Sequence, residues 1–307
     1  MQTQRLSAAL KAAAALLLVG CSSGGAGPVS TTPLPAPTQE GVCAADDLST
    51  LGVLRSTDQG STWTDAGRAC MQGIGDLLPA DPTGLVVDGR VVLYFVDLAR
   101  LDQPIPQTIY RVTSPDGVHF DTPQPAYTQE NSMVDPTVAR MADGSFRLYV
   151  PSKAEGVVSA VSADGAVFTR EGVVLPEVGT GMPGAILLPD GRVRLFYTAP
   201  HAAGLGSLIS DDGRSFTHES GVRITQPPDY VSLNNPQPFR RADGSFILLY
   251  QQQNKTHAGR AEWQAEIHLA TSADALNWTA DPAVIAYGGT SCAVEMPDGT
   301  YFIYYGR

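Results

Sequence analysis

The sequence is poor in the features that mark helical, membrane-spanning or metal-binding chains. Its longest apolar run, Ala12 to Val19, is too short to cross a bilayer, which takes about 20 apolar residues. Beyond residue 20 there is little helical periodicity. Histidine is scarce, five in 307 residues, and the four cysteines form no close pair, so there is no zinc signature and no metal is expected. Lysine and arginine number 20 against 31 acidic residues. That balance excludes nucleic acid as a partner, because its phosphates need a basic face. No residue pattern calls for a cofactor, and none supports a structural Ca²⁺ ion. Glycine and proline are plentiful, at 31 and 23 residues. Many short strands joined by turns fit this composition.

The N-terminus carries Arg5 and Lys11 ahead of the apolar run, the pattern of a secretory signal peptide. Its end, Leu18-Val19-Gly20-Cys21, resembles a bacterial lipobox. The resemblance implies a signal peptide over residues 1–20, a lipidated Cys21, and an exported protein anchored in the bacterial cell envelope. Several acyl chains on one cysteine hold a membrane more firmly than a single chain does. Without Arg5 and Lys11, 18 basic residues face 31 acidic ones, a charge near −13. Residues 22–41, "SSGGAGPVSTTPLPAPTQEG", bury too little to offset ordering entropy. They read as a flexible tether, so that residues 21–42 form anchor and tether and the folded domain spans 43–307.

Two turn motifs alternate along that domain. One is an Asp-Gly turn followed by β-branched and aromatic residues, as in "DGRVVLYFV" from Asp88. It recurs at Asp143, Asp190, Asp243 and Asp298, at spacings of 55, 47, 53 and 55 residues. This is a β-hairpin signature. The other is a Ser-x-Asp turn: "STDQGSTWT" from Ser56, "SPDGVHFD" from Ser114, "SADGAVFT" from Ser162, "SDDGRSFT" from Ser210 and "SADALNWT" from Ser272. Two hairpins per period of about 50 residues indicate a four-stranded propeller blade. The domain opens on a lone outer hairpin at Ser56 and closes on a lone inner one, "SCAVEMPDGTYFIYYGR". Pairing these two halves completes a fifth blade and leaves no open edge. The expected fold is an all-β, five-bladed propeller with four antiparallel strands per blade, a monomer. The Ser-x-Asp turns resemble the Asp-box of sialidases and other propellers, Ser56 to Trp63 being the fullest match. The resemblance implies turns between the third and fourth strands, away from the central pocket. Their aromatics (Trp63, Phe120, Phe168, Phe216, Trp278) would then pack between blades and carry no chemistry.

Aligning the inner strands on their Asp-Gly turns makes Asp81, Asp135, Met182, Asn235 and Thr290 equivalent, one at the head of each inner strand around the funnel. Two carboxylates converging there suit glycoside hydrolysis, one as base or nucleophile and one as acid. Proximity raises one of their pKa values. Equally, an Asp before Pro serves as a turn or strand cap. "DPTVARMADGSFRLYV" resembles inner strands of the five-bladed glycoside hydrolases that act on arabinans, xylans and fructans. That resemblance implies Asp81 as general base, Asp135 as the residue that orients and tunes the acid, and a Glu acid at the third strand head. The third head departs from the pattern: "TGMPGAI" places Gly181 and Met182 there. Glu177, Glu130 and His201, on the same face, are the alternatives for the third group.

Sugar contacts are expected from Asn235, Asn234, Tyr230, His201, Gln252 and Asp97, because amides bond hydroxyls and aromatics stack on C–H faces. Arg140, Arg240 and Glu295 share a position five residues further along, near the far strand ends, where solvent or a contact between blades is expected. Two functions follow. One is a glycan-active enzyme of glycoside-hydrolase type. The other is a non-catalytic propeller that binds a glycan or an envelope partner. With Cys21 lipidated, Cys43 and Cys70 flank the first outer hairpin and are predicted to form a disulfide, leaving Cys292 as a buried thiol.

Overall fold

The computed structural model describes residues 43–100, 106–130, 134–152, 154–176, 181–198, 204–254 and 265–307. They form five sheets of mainly antiparallel strands, the blades of a propeller; the one parallel pairing among the described residues sets His119–Phe120 beside the outer strand of the closing sheet. Blade one runs from its inner strand Pro79–Val87 through Arg90–Asp97 and Gln107–Ser114 to Gln124–Gln129. Blade two follows with Thr137–Arg140, Phe146–Ser152, Gly156–Ser162 and Thr169–Leu175. In blade three Gly181–Leu187, Val193–Thr198 and Gly204–Ser210 precede an outer strand split into Thr217–His218 and Ile224–Thr225. Blade four has Tyr230–Arg240, Phe246–Asn254 and Glu266–Ser272, with its outer strand split into Thr279–Ala280 and Ala286–Tyr287.

The fifth blade joins both ends of the domain, as the half-hairpins predicted. Ser291–Glu295 and Tyr301–Gly306 are followed in the sheet by Leu48–Ser56 and Thr64–Met71. Leu51 to Ser56 pairs antiparallel with Gly306 to Tyr301. The predicted Cys43–Cys70 disulfide is present, with Cα atoms 5.8 Å apart. It ties the start of the domain to the outer strand of the closing blade. Cys292 is free and buried, and burial pushes its thiol pKa up.

Second strands such as "VVLYFV" and "FILLY" read as continuous apolar runs because neighbouring blades cover both their faces. One contact repeats across those faces. Tyr94, Tyr149 and Tyr304 stand at the same place in their second strands, and each hydroxyl donates to a glycine carbonyl in the Ser-x-Asp turn of the next blade. The acceptors are Gly165 at 2.6 Å, Gly213 at 2.9 Å and Gly117 at 2.7 Å. The turn aromatics Phe168, Phe216 and Phe120 meet the same tyrosines edge-on, at 5.6, 5.8 and 5.8 Å. Inside each turn the serine hydroxyl and the aspartate accept backbone N–H groups, for example Ser162 from Gly165 and Asp164 from Ala166. The glycine is required twice over. Gly165 has φ of 74°, and a Cβ there would lie 2.7 Å from the Tyr94 hydroxyl. Blade three has Phe196 in place of the tyrosine. Its ring still meets Trp278 edge-on at 5.6 Å, and the turn it faces carries Ala275 instead of glycine. Where the hydroxyl is missing, a methyl group fits.

Gly165→Ala should cost about 2 kcal/mol of stability, from left-handed strain and the clash with Tyr94. In a Tyr94→Phe background, which by itself costs about 1 kcal/mol, the alanine should cost less. A urea double-mutant cycle measures this coupling, and additive energies would show that the two groups do not meet.

Candidate functional site

Four of the five aligned strand heads, Asp81, Asp135, Asn235 and Thr290, are joined by hydrogen bonds at the propeller axis. Asp81, Asp135, Met182 and Asn235 each have positive φ (49°, 47°, 61° and 53°) and each is followed by proline. The inner-strand ladder is irregular at these heads in blades one, three and four. Asp and Asn tolerate left-handed backbone, whereas Met182 occupies it with strain. Two residues further on, side chains stitch one inner strand to the next. Thr83 Oγ1 accepts from the Val138 amide at 3.3 Å, Thr137 Oγ1 from the Ala185 amide at 3.0 Å, and Gln237 Nε2 donates to the Pro183 carbonyl at 3.3 Å. Gly184 holds the matching place in blade three, where a Cβ would lie 1.8 Å from the Pro236 carbonyl oxygen.

Thr290, the fifth head, is the centre of the cluster. Its Oγ1 lies 2.9 Å from Asp81 Oδ1 and 3.3 Å from Asp135 Oδ1, and it accepts Asn235 Nδ2 at 2.7 Å. Asp81 Oδ2 also accepts the Asp135 amide at 3.2 Å. Asn235 Nδ2 reaches Gln251 Oε1 as well, and Gln251 Nε2 donates to the Gly288 carbonyl at 2.8 Å. Asn235 Oδ1 is buried and has no partner among the described residues.

Asp135 is only 6% exposed, while Asp81 is half-buried. Burial first, and then the neighbouring Asp81 charge, push Asp135 well above the ordinary carboxylate range, against the Thr290 hydrogen bond. Burial raises Asp81 as well, opposed by hydrogen bonds from Thr290 and the Asp135 amide. A threonine hydroxyl has one proton to give. The arrangement is satisfied when protonated Asp135 donates to Thr290 Oγ1 and Thr290 donates to an ionised Asp81. The pair then carries one negative charge.

A second polar cluster lies in blade four. Tyr230 donates its hydroxyl to Glu266 Oε2 at 2.6 Å, and His268 Nε2 lies 3.3 Å from the same oxygen. The His268 ring stacks on Tyr250 at 5.8 Å. Sequence reasoning singled out Tyr230 and missed Glu266 and His268. They sit two apart on one face of the third strand, and the available signal was a Glu and a His inside the otherwise apolar "AEIHLATS".

The other expected contacts are scattered. Asp97 is buried and accepts the Leu78 and Ala99 amides at 3.0 Å each, with Arg100 at ion-pair distance, so it holds its own loop. Gln252 is buried, Asn234 is half-buried and Glu130 is exposed at the end of blade one. None of these is hydrogen-bonded to the Asp81–Asp135 pair among the described residues. Glu177, His201 and Cys21 lie outside the described residues. A cavity of about 570 Å³ opens at the opposite end of the axis from the strand heads. It is lined by all five inner strands near their Asp-Gly turns.

No family model matches the chain, and no curated protein does either. Solved structures do match. A glycosyl hydrolase from Bacteroides ovatus is 14% identical, with 76% of this chain and 81% of that one covered and a TM-score of 0.58. An endo-1,4-β-xylanase from Bacteroides thetaiotaomicron is 14% identical over 74% of this chain and 84% of that one, with a TM-score of 0.56. A thermostable family-43 glycoside hydrolase gives 14%, 74%, 83% and 0.56 for the same measures. The chain has the five-bladed fold of these glycoside hydrolases.

The shared proton predicts a pH dependence. Folding raises the Asp135 pKa above its unfolded value near 3.8. The stability this contributes is full below that value and is lost as pH rises through the folded pKa. Asp135→Asn, neutral at every pH, should flatten the dependence and gain about 1 kcal/mol over the parent at pH ~8. Urea midpoints at pH ~5 and ~8 test it. An equal loss at both pH values would mean that Asp135 is not the proton holder.

Proposed function

We propose that this protein is a lipoprotein of the bacterial cell envelope whose propeller engages carbohydrate at the strand-head face. Cys21 carries the lipid, and residues 22–41 space the domain from the membrane. Asp81 supplies the charged contact, with Tyr230, Asn234 and Gln252 of blade four as stacking and hydrogen-bonding groups further out on the same face. The carrying observation is the Asp81–Thr290–Asp135 cluster at the axis of a fold used by glycoside hydrolases. A single negative charge there, in an acidic chain, favours neutral or amino sugars over uronates and sialates.

Binding without turnover is the reading that the geometry favours. Asp81 and Asp135 both touch one hydroxyl, at 2.9 and 3.3 Å. Here Thr290 occupies the space between them, so the pair acts as one group, and the third strand head offers Met182 instead of an acid. Hydrolysis is the second reading, favoured by the raised Asp135 pKa. In it Asp81 is the base, Asp135 tunes the site, and Glu177, Glu130 or His201 is the acid.

The purified protein on a glycan array should retain neutral glycans, and Asp81→Asn should weaken a hit about tenfold, the loss of one charge-assisted hydrogen bond. A reducing-sugar assay on each hit should read zero. Sugar release abolished by Asp81→Asn would replace binding with hydrolysis, and an array with no hits would remove the carbohydrate reading.

A further inference from the structure

The opposite mouth of the axis has its own chemistry. Three residues beyond each head, the inner strands present small or apolar side chains to the cavity, Gly84, Ala185 and Ala293 among them. Two residues further, on the same strand face, the rim residues are Val86, Arg140, Leu187, Arg240 and Glu295. Arg241 also lines the cavity. Its volume, about 570 Å³, lies within the range of small-molecule sites, roughly 300–1,000 Å³.

The charges at this rim are unbalanced. Glu295, its one carboxylate, accepts the Ala242 amide at 2.8 Å and bonds the Tyr301 hydroxyl, whose pKa burial and Glu295 push up to about 12. The nearby Asp143 and Asp243 accept the amide and hydroxyl of Ser145 and Ser245 in their own turns. Among the described residues, none of the three arginines has a carboxylate at ion-pair distance, whereas Arg147, Arg194 and Arg214 each have one. The Arg140 guanidinium lies over the Phe146 ring, 5.7 Å from its centroid, which holds it at the rim. Arg241 Nε is buried with no hydrogen-bond partner among the described residues. A chain with 31 acidic residues thus places three guanidiniums around a cavity with no carboxylate at ion-pair distance among the described residues, Arg241 feeling the Asp243 charge only from further away.

We propose that this mouth is a binding site for a small organic anion, a carboxylate on an apolar body. The carboxylate is held between Arg140 and Arg240, with Arg241 behind, and the apolar body enters the neck between the inner strands. Guanidiniums bind carboxylates through paired charge-assisted hydrogen bonds, and the apolar walls exclude inorganic anions from a comparable fit. The site is separate from the strand-head face and stands whether or not that face binds sugar.

Calorimetric titration of the protein with octanoate, 1-octanol and inorganic phosphate tests it. Octanoate should bind at least about tenfold more tightly than either control, and more weakly as salt rises. The Arg140→Gln/Arg240→Gln double variant should lose about tenfold or more, with the thermal midpoint and any glycan-array hits unchanged, since both side chains are exposed. Ala185→Leu, which fills the neck, should also abolish octanoate binding while leaving phosphate unaffected. No octanoate binding, equal binding of octanol, or octanoate binding indifferent to the arginine pair would each overturn the proposal.

Discussion

The grip of each blade on the next governs this structure. Within a blade the backbone ladders satisfy one another, and only short backbone contacts, such as Cys70–Met71 beside His119–Phe120, pass between neighbouring sheets. The tyrosine–turn contact is the side-chain join that repeats from blade to blade. A hydroxyl bond of this kind is worth about 1 kcal/mol net, and an edge-to-face ring pair adds about as much. Burial of the rings supplies more than either. The apolar term therefore gives most of the energy, and the hydroxyl sets the angle at which the Ser-x-Asp turn seats. Blades three and four relax this rule, with Phe196 and Leu249 in the tyrosine position. The ring pair with Trp278 and the packing around Trp63 persist there, as expected if the rings carry the larger share.

A closed ring also decides what happens at its axis. Inner strands converge on the axis, so residues about fifty positions apart in sequence become neighbours, with Asp135, Asn235 and Thr290 buried. In that setting two carboxylates cannot both ionise cheaply. The Thr290 hydroxyl lies within bonding distance of both, and the conflict is relieved when Asp135 is protonated and donates to it while it donates to Asp81. The far end of the same strands bears Arg140, Arg240 and Arg241 without a carboxylate at ion-pair distance among the described residues. The axis thus carries a carboxylate pair at one end and guanidiniums lining the other, although the chain as a whole is acidic.

Much of the architecture was legible because a repeat protein states its plan several times. The Asp-Gly and Ser-x-Asp turns marked every hairpin, and the unmatched half-hairpins at Ser56 and Asp298 marked the seam that the Leu51–Ser56 ladder closes. The equivalence of Asp81, Asp135, Met182, Asn235 and Thr290 was also legible, and the shared left-handed backbone of the first four bears it out. Less was legible about the site. Thr290 stood in the alignment without a role, since only distance shows that it reaches both carboxylates. Glu266 and His268 went unnoticed because no turn or motif surrounds them, and Asp97, expected over the funnel, bonds its own loop instead.

The sequence by itself determined the number of blades, their order, the seam and the Cys43–Cys70 bond. These follow from local turn chemistry and from strand periodicity, which act over a few residues at a time. Only the tertiary structure decided which side chains share a proton, that Thr290 fills the gap between two acids, and that the arginines at positions 140, 240 and 241 surround a cavity. Those outcomes depend on distances between blades, and such distances are set by ring closure and by the packing of faces that are far apart in the chain.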